Sequence, residues 1–254
     1  GLFYTKLGLE NYQNMFDFSF SGLGKDVFKS FGVTFEWALI SIPLGLVLSF
    51  MLALLSSKEV KGVGVYRLLF YMPTIIPSIA ISFIWADTFS SDGLANQLLL
   101  SLGLPPSMWL EGESTALWTL ILTGVWGIGG NMIMWLASLR NIPPELYEAA
   151  SLDGAGYFTN LFRITIPLCT PMIFYNLLNA LIGAMQAFDV YAMVGHGPND
   201  SLYFISIRIY ETAFGSGNEY GLACAMGWLM FAVIAVLTLI MFKTNNWVNY
   251  GEES

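Results

Sequence analysis

Five long apolar stretches constrain the fold of this chain more than any other feature of its sequence. A helix that crosses the hydrocarbon core of a bilayer needs about 20 consecutive, mostly apolar residues. Backbone N–H and C=O groups must be paired within the protein in lipid, which favours helices. The sequence therefore predicts an all-α, polytopic membrane protein with about five spans. The stretches are residues 32–55, 68–89, 116–139, 170–194 and 222–242.

The composition also indicates that a bilayer is the solvent of this chain. It is 56% hydrophobic and 11% charged, whereas a soluble domain is usually about 25% charged. Too little polar surface remains to cover a soluble globule. The net charge of −8 argues against a nucleic-acid partner, because nucleic acids attract basic surfaces.

Basic residues predict the orientation of the spans. Cytoplasmic connections carry an excess of Lys and Arg, and six basic residues fall on one side here against four on the other. The connection at 140–167 is then cytoplasmic, and residues 1–30 form an extracytoplasmic lead-in. The cytoplasmic group is Lys58, Lys61, Arg67, Arg140, Arg163 and Lys243, and the outer group is Lys6, Lys25, Lys29 and Arg208.

The connection at 140–167 has helix start and stop signals of its own. Asn141 is expected to cap a helix whose first turn holds the following prolines, and the Asp-Gly pair at 153–154 can end it. A second short helix is predicted over about 157–163, after which Pro167 and Pro171 redirect the chain. On these grounds the segment is either a docking surface for a soluble protein or a simple hairpin between two spans.

The residues of this segment resemble the coupling loop of permeases in binding-protein-dependent ABC importers. Glu-Ala-Ala, a Gly, and a closing Ile and Pro stand at the spacing of that loop. Residues 8–12, 71–77 and 197–199 resemble the carbohydrate branch of the family, the maltose and glycerol-phosphate type. That branch commonly has Gly-Gly-Pro where this chain has His-Gly-Pro, a small departure in an outer loop. The matched loop residues are Glu148, Ala149, Ala150, Gly154, Ile164, Ile166 and Pro167.

The resemblance implies a type I importer permease in the bacterial cytoplasmic membrane, which takes up a sugar or oligosaccharide by alternating access. The family usually has six spans, so its first span is expected to be absent from residues 1–254, a single domain. The implied partners are a second permease subunit that is a different chain, a cytoplasmic ATPase dimer and an extracytoplasmic sugar-binding protein. The chain itself would be no enzyme and would bind no cofactor, because the ATPase binds ATP and magnesium. Coupling would use residues 148–167, through Glu148, Ala149, Ala150, Asp153, Gly154 and Pro167.

Polar residues of two spans are candidates for the substrate pathway. Side-chain amides can bind sugar hydroxyls, and aromatic faces can cover the C–H surface of a sugar ring. The same residues could instead form hydrogen bonds between helices, worth about 0.6 kcal/mol on average. The candidates are Thr123, Trp126, Gly127, Gly130 and Asn131 in one span, and Asn176, Asn179, Gln186, Asp189 and Tyr191 in the next.

Two ionisable residues, Asp189 and His196, lie near the predicted extracytoplasmic side of the membrane. Asp189, at the outer end of its span, could bind a sugar, pair with a cation such as Arg208, or be solvated. His196, the single histidine of the chain, is expected to be solvated in an outer loop.

Two other classes of protein fit the sequence less well. A proton-coupled secondary transporter would carry ionisable residues deep in its spans, but Glu36, Asp87 and Asp189 lie near span ends. A membrane enzyme would need a cluster of catalytic side chains, which one outer histidine does not supply. Within ABC importers, a polyamine, phosphate or amino acid stays open as the solute, because the coupling loop is shared.

Overall fold

A computed structural model of the chain describes residues 8–19, 22–58 and 61–248. Within these ranges all of the regular structure is helical and none is β-strand, which confirms the predicted all-α class. The α-helices are α1 (Glu10–Met15), α2 (Gly24–Ser57), α3 (Val63–Tyr71), α4 (Ser78–Thr88), α5 (Leu94–Ser101), α6 (Glu113–Val125), α7 (Gly129–Arg140), α8 (Pro144–Leu152), α9 (Tyr157–Asn160), α10 (Ile166–Leu168), α11 (Thr170–Met185), α12 (Asp189–Val194), α13 (Ile205–Phe214) and α14 (Tyr220–Lys243). Short 3-10 helices cover Met72–Ile75, Trp109–Glu111, Pro198–Asp200 and Asn245–Trp247, and a π-helical segment covers Leu161–Thr165.

The predicted number of spans is confirmed, although most spans are broken. Among the described residues, α2 and α14 are each long and apolar enough to cross a membrane alone. Three pairs of helices reach that length only together, and each pair is bent by more than 40° at a short break. Counting each bent pair as one span gives five spans. The pairs are Val63–Ile75 with Ser78–Thr88, Glu113–Val125 with Gly129–Arg140, and Tyr157–Leu168 with Thr170–Met185.

Pro77 explains the first of these breaks. A proline lacks an amide hydrogen and disfavours the α conformation in the residue before it. Ile76 is extended, with φ −72° and ψ 131°, and α4 begins at Ser78. The predicted span 68–89 therefore consists of two helices.

Other predicted boundaries are wrong in ways that depend on packing. α2 begins at Gly24 rather than at residue 32, because Val27 and Phe31 are buried against Ile205. The predicted span 170–194 is interrupted between α11 and α12, and α5 and α13 form inside the predicted connections 90–115 and 195–221.

The chain divides into two compact units, each of which has its own apolar packing. The prediction of a single domain over residues 1–254 stays a prediction. One unit contains Gly1–Leu39, Ser78–Leu120 and Gly183–Val236, and the other contains Ile40–Pro77, Ile121–Ile182 and Leu237–Ser254.

The first unit has two buried apolar clusters. In one cluster, side chains of α2 and α13 pack against α14; in the other, α6 and α13 pack around the segment before α13. Both clusters include residues of α13, so packing on two sides fixes the orientation of this short helix. The buried members are Met15, Val27, Phe31, Ile205, Leu222 and Met226 in the first, and Ala116, Leu120, Val190, Leu202, Phe204 and Ile207 in the second.

Trp135 is at the centre of the apolar cluster of the second unit. Its side chain is 1% exposed, and its indole N–H donates a hydrogen bond to Ser49 Oγ at 2.9 Å. The ring of Phe50 meets it edge-on at a centroid distance of 5.1 Å. This contact holds α7 against α2 within the unit.

Candidate functional site

The predicted polar hairpin is present in the second unit, and its first helix is α8. Pro144 is the first helical residue, and Pro143 before it is extended, with φ −60° and ψ 128°. The fixed φ of proline suits this start. The prediction that Asn141 caps α8 is wrong, because Asn141 follows the end of α7 and its amide N–H donates to the Ser138 carbonyl.

Gly154 ends α8 with a closed C-terminal cap. Its φ is +78°, a conformation that residues with a side chain rarely adopt. The Gly154 N–H donates to the Ser151 carbonyl at 3.1 Å, and the Ala155 N–H donates to the Ala150 carbonyl at 2.9 Å. This pair of bonds is the Schellman motif, which satisfies the last carbonyls of a helix. The predicted stop at 153–154 therefore has its physical cause in Gly154.

The second helix of the hairpin is longer than predicted. A π-helical segment, Leu161–Thr165, follows α9, and the helix then continues to Leu168. In an α-helix the backbone N–H of residue 167 would donate to the carbonyl of residue 163, but Pro167 has no N–H. The π-helical turn lies at the position of this missing hydrogen bond. Pro167 and Pro171 were predicted to redirect the chain, and the 64° bend between Tyr157–Leu168 and Thr170–Met185 lies between these two prolines.

Most of α8 is exposed, and its surface includes apolar side chains. Leu152 on α8 is 89% exposed, and Phe158 on the next helix is 71% exposed. Glu148 is exposed and forms no hydrogen bond or ion pair through its carboxylate with another described residue. Ala149 is exposed and Ala150 half-buried, so another backbone can approach closely. Exposed apolar side chains beside a free carboxylate favour docking over a simple hairpin.

Tyr147 joins the two helices of the hairpin. Its hydroxyl lies 2.9 Å from Thr165 Oγ1, and its side chain is half-buried. A bond of this kind contributes about 0.5–1.5 kcal/mol. We expect Tyr147→Phe to speed amide hydrogen exchange in α8 by roughly two- to tenfold, measured by mass spectrometry, because the two helices separate more readily.

Tyr157→Phe is the matched control for this prediction. The Tyr157 ring is exposed and packs beside Phe158, and no hydrogen bond of its hydroxyl to a described residue is present. Its removal should leave exchange in α8 unchanged. Equal exchange in the two variants would contradict a connecting role for Tyr147.

The candidate pathway residues of the second unit differ in what they contact. The side-chain amides of Asn176 and Asn179 donate to carbonyls one turn back in their own helix, at 2.9 and 2.8 Å. Asn176 is buried, whereas Asn179 and Asn131 are exposed. Among the three candidate amides of this unit, Asn131 and Asn179 are therefore the ones accessible to a solute. Thr123 is buried, and Trp126 and Gly127 are exposed at the break between α6 and α7.

The candidates of the first unit lie at the break between α11 and α12. Gln186 is exposed there. The Asp189 carboxylate accepts a hydrogen bond from Ser78 Oγ at 2.9 Å, and the Asp189 carbonyl accepts one from Ser82 Oγ at 3.1 Å. Asp189 does not pair with Arg208, so that alternative is wrong. The candidates fall in both units, and their arrangement along one pathway stays a prediction.

His196 lies in a defined cluster, so the prediction of a solvated histidine is wrong. Its Nε2 is 2.8 Å from both carboxylate oxygens of Glu211, and its ring stacks on Tyr203 at a centroid distance of 3.8 Å. The Tyr203 hydroxyl donates to Glu211 Oε2 at 2.6 Å. Burial would raise the pKa of the Glu211 carboxyl, but hydrogen bonds from Tyr203 and His196 lower it below its ordinary value.

The prediction of site residues from the sequence missed α13. Apolar residues recur at a spacing of four along this segment, at Ile205, Ile209 and Ala213, which is typical of a helix. That periodicity could have revealed it. Arg208 and Glu211 of α13 line a cavity of about 590 Å³ in the first unit.

Comparison with known proteins identifies the family pattern. The family described as "Binding-protein-dependent transport system inner membrane component" matches residues 41–250. The probable ABC transporter permease protein YesP of Bacillus subtilis is 38% identical over 250 residues, which are 96% of this chain and 79% of that protein. The trehalose/maltose transport system permease protein MalF of Thermococcus litoralis is 30% identical over 240 residues, which are 93% of this chain and 79% of that protein.

A solved structure has the same fold. It is a chain of a bacterial ABC transporter involved in the import of the acidic polysaccharide alginate. The TM-score is 0.85 at 22% sequence identity, and the match covers 95% of this chain and 84% of that one. The fold is thus that of a type I importer permease, as predicted.

Proposed function

This chain belongs to the family of inner membrane components of binding-protein-dependent transport systems, and from that premise we propose that it is the permease subunit of an ATP-driven importer of sugars or oligosaccharides. It is a multi-pass protein of the cytoplasmic membrane. The sugar assignment is supported by a relative named for trehalose and maltose. No relative reported above is named for a polyamine, a phosphate or an amino acid.

The exposed surface of the hairpin is the observation that best supports coupling to an ATPase. Its first helix is closed by the cap at Gly154 and presents Glu148, Ala149 and Leu152 outward. A cytoplasmic ATPase with a basic side chain in an apolar groove would fit this surface. ATP and magnesium then bind that partner, which carries out the hydrolysis.

Movement of the hairpin would be transmitted through α11 to a candidate residue of the substrate pathway. The second helix of the hairpin and α11 form one bent pair, and Tyr147 fixes α8 to that helix through Thr165. α11 carries Asn179. When the ATPase dimer closes on the hairpin, the resulting shift of α11 changes the access to this residue.

The remaining partners are proposed from the family. A binding protein delivers the solute from the extracytoplasmic side, and a second permease subunit, a different chain, completes the pathway. Candidates for contact with the solute are Thr123, Trp126, Gly127, Gly130, Asn131, Asn179, Gln186, Asp189 and Tyr191.

Uptake into proteoliposomes tests the proposal. The chain is co-purified with its second permease, ATPase and binding protein, and the complex is given labelled maltose, trehalose and maltotriose, then spermidine, phosphate and glutamine. We expect saturable uptake of at least one sugar that stops without ATP. Uptake of only the non-sugar solutes would contradict the sugar assignment, and uptake driven by a proton gradient without ATP would contradict the coupling.

A further inference from the structure

A half-open cavity in the first unit combines aromatic rings with charged side chains. Its volume of about 590 Å³ lies within the range of about 300–1,000 Å³ that is common for small-molecule sites. Tyr210 is 42% exposed and Phe214 is 65% exposed, and both line the cavity with Tyr191. The ring centroids of Tyr210 and Phe214 are 5.2 Å apart at 46°. Tyr210 also packs beside Phe188 at a centroid distance of 4.9 Å, but the exposed parts of both rings leave apolar surface for a ligand.

The charged side chains of this cavity are held in fixed positions. Glu211 accepts hydrogen bonds from His196 and Tyr203, and burial raises the pKa of the Tyr203 hydroxyl, so that it stays a donor. Arg208 Nε donates to Ser30 Oγ at 2.7 Å, and its guanidinium lies 4.2 Å over the ring of Tyr203. The terminal nitrogens of Arg208 are further donors on a group that cannot move freely.

The cavity has the chemistry that a sugar ring requires. Hydroxyl groups need both donors and acceptors, which Arg208 and the exposed carboxylate of Glu219 supply, and ring C–H surfaces pack on aromatic faces. The Glu211 carboxylate, already hydrogen-bonded to His196 and Tyr203, also lines the cavity, so two negative charges face one positive charge. This balance disfavours an anionic ligand, and the charges make the cavity unsuitable for an acyl chain.

We infer that this cavity is an outer subsite that receives a neutral sugar ring before it enters the pathway between the spans. The inference rests on the proposed sugar import and adds to it a site on α13, in the outer connection 195–221. Tyr191, a predicted pathway residue on α12, also lines the cavity. The subsite therefore adjoins the predicted pathway.

Protection of a cysteine in the cavity tests the subsite directly. Ser216 lines the cavity and is exposed, and Ser216→Cys changes one atom. The exposed native thiol is removed by Cys224→Ala. In the reconstituted complex, whichever of maltose, trehalose and maltotriose is taken up should slow the labelling of Ser216→Cys by a charged thiol reagent at least ~fivefold. Ser91→Cys, an exposed position outside the cavity, should be labelled at an unchanged rate.

Aromatic variants give an independent readout. Tyr210→Ala and Phe214→Ala should each abolish the protection and raise the half-saturating sugar concentration for uptake by roughly three- to tenfold, because a packed aromatic face is lost. Binding-protein stimulation of the ATPase should persist. Phe231→Ala removes an exposed ring of α14 outside the cavity and should leave uptake unchanged.

The outcomes separate the subsite from the proposed function. A complex that transports a sugar without protecting Ser216→Cys would overturn the subsite alone. Equal protection by sugar-free binding protein would also overturn it, since a loop of that protein would then occupy the cavity. A complex that transports no sugar would overturn the proposed function and the subsite with it.

Discussion

Replacement of Glu148 by Lys together with Gly154 by Val is expected to abolish the ATPase activity that the loaded binding protein stimulates. Glu148 is exposed on α8 and is unpaired within the described residues. If it pairs with a cation of the ATPase, loss of that pair at a buried interface costs about 2–5 kcal/mol, and a reversed charge adds repulsion. Gly154 has φ +78°, where a side chain costs about 1–2 kcal/mol. Uptake should therefore fall at least ~100-fold.

Single variants and a control on the same helix keep this prediction specific. Glu148→Gln should already reduce the stimulated ATPase activity by tenfold or more, since it removes the charge but keeps the shape of the side chain. Glu145→Gln makes the same change in the first turn of α8, where the residue is also exposed, and should have little effect.

The measurement is ATP hydrolysis in proteoliposomes with and without sugar-loaded binding protein. Co-purification of the second permease reports whether the spans of the variant assemble, and it should be unaffected. A Glu148→Lys variant that assembles and keeps full stimulation would refute the role of the hairpin in coupling.

Local chemistry explains why the helices of the hairpin could be predicted from the sequence. The positive φ at Gly154 and the prolines before α8 act over a few residues, so their effects can be read without tertiary structure. The apolar length of α2 and α14 similarly predicts spans. The prediction that Asn141 caps α8 was wrong because the proline pair at 143–144 determines where the helix begins.

Long-range contacts explain what the sequence could not predict. His196 becomes a cluster residue only because Glu211, on α13, reaches it across 15 positions of the chain. The Thr34 hydroxyl donates a hydrogen bond to the Ser30 carbonyl of its own helix, α2. It also accepts a hydrogen bond from the backbone N–H of Ile205, 171 positions away, and this bond fixes the start of α13. Neither pairing follows from periodicity, so no site was predicted in the connection 195–221.

The glycines of the third span show the same limit, and they lead to a prediction about stability. Gly124 and Gly129 look alike in the sequence, as glycines of one membrane segment that could mark kinks or close contacts. In the structure Gly129 begins α7 directly against the backbone of α3, and a Cβ there would collide with the Phe70 carbonyl. A Cβ at Gly124 would meet nothing within 4 Å.

Gly129→Ala is therefore expected to force α3 and α7 apart, because the obstacle is backbone and cannot rotate away. Overpacking costs about 1–3 kcal/mol even where side chains can adjust, and a protein of this size loses about 2–4 °C in Tm per kcal/mol. We expect the Tm of the purified complex to fall by about 2–12 °C.

Gly130→Ala should have a smaller effect, since its Cβ would meet Thr74 Cγ2 at 3.2 Å, a methyl group that can shift. Gly124→Ala should be neutral or slightly stabilising, because alanine favours a helix by about 1 kcal/mol over glycine. Thermal unfolding followed by tryptophan fluorescence checks this order, and equal Tm values for the Gly129 and Gly124 variants would show that α3 and α7 do not need the close contact.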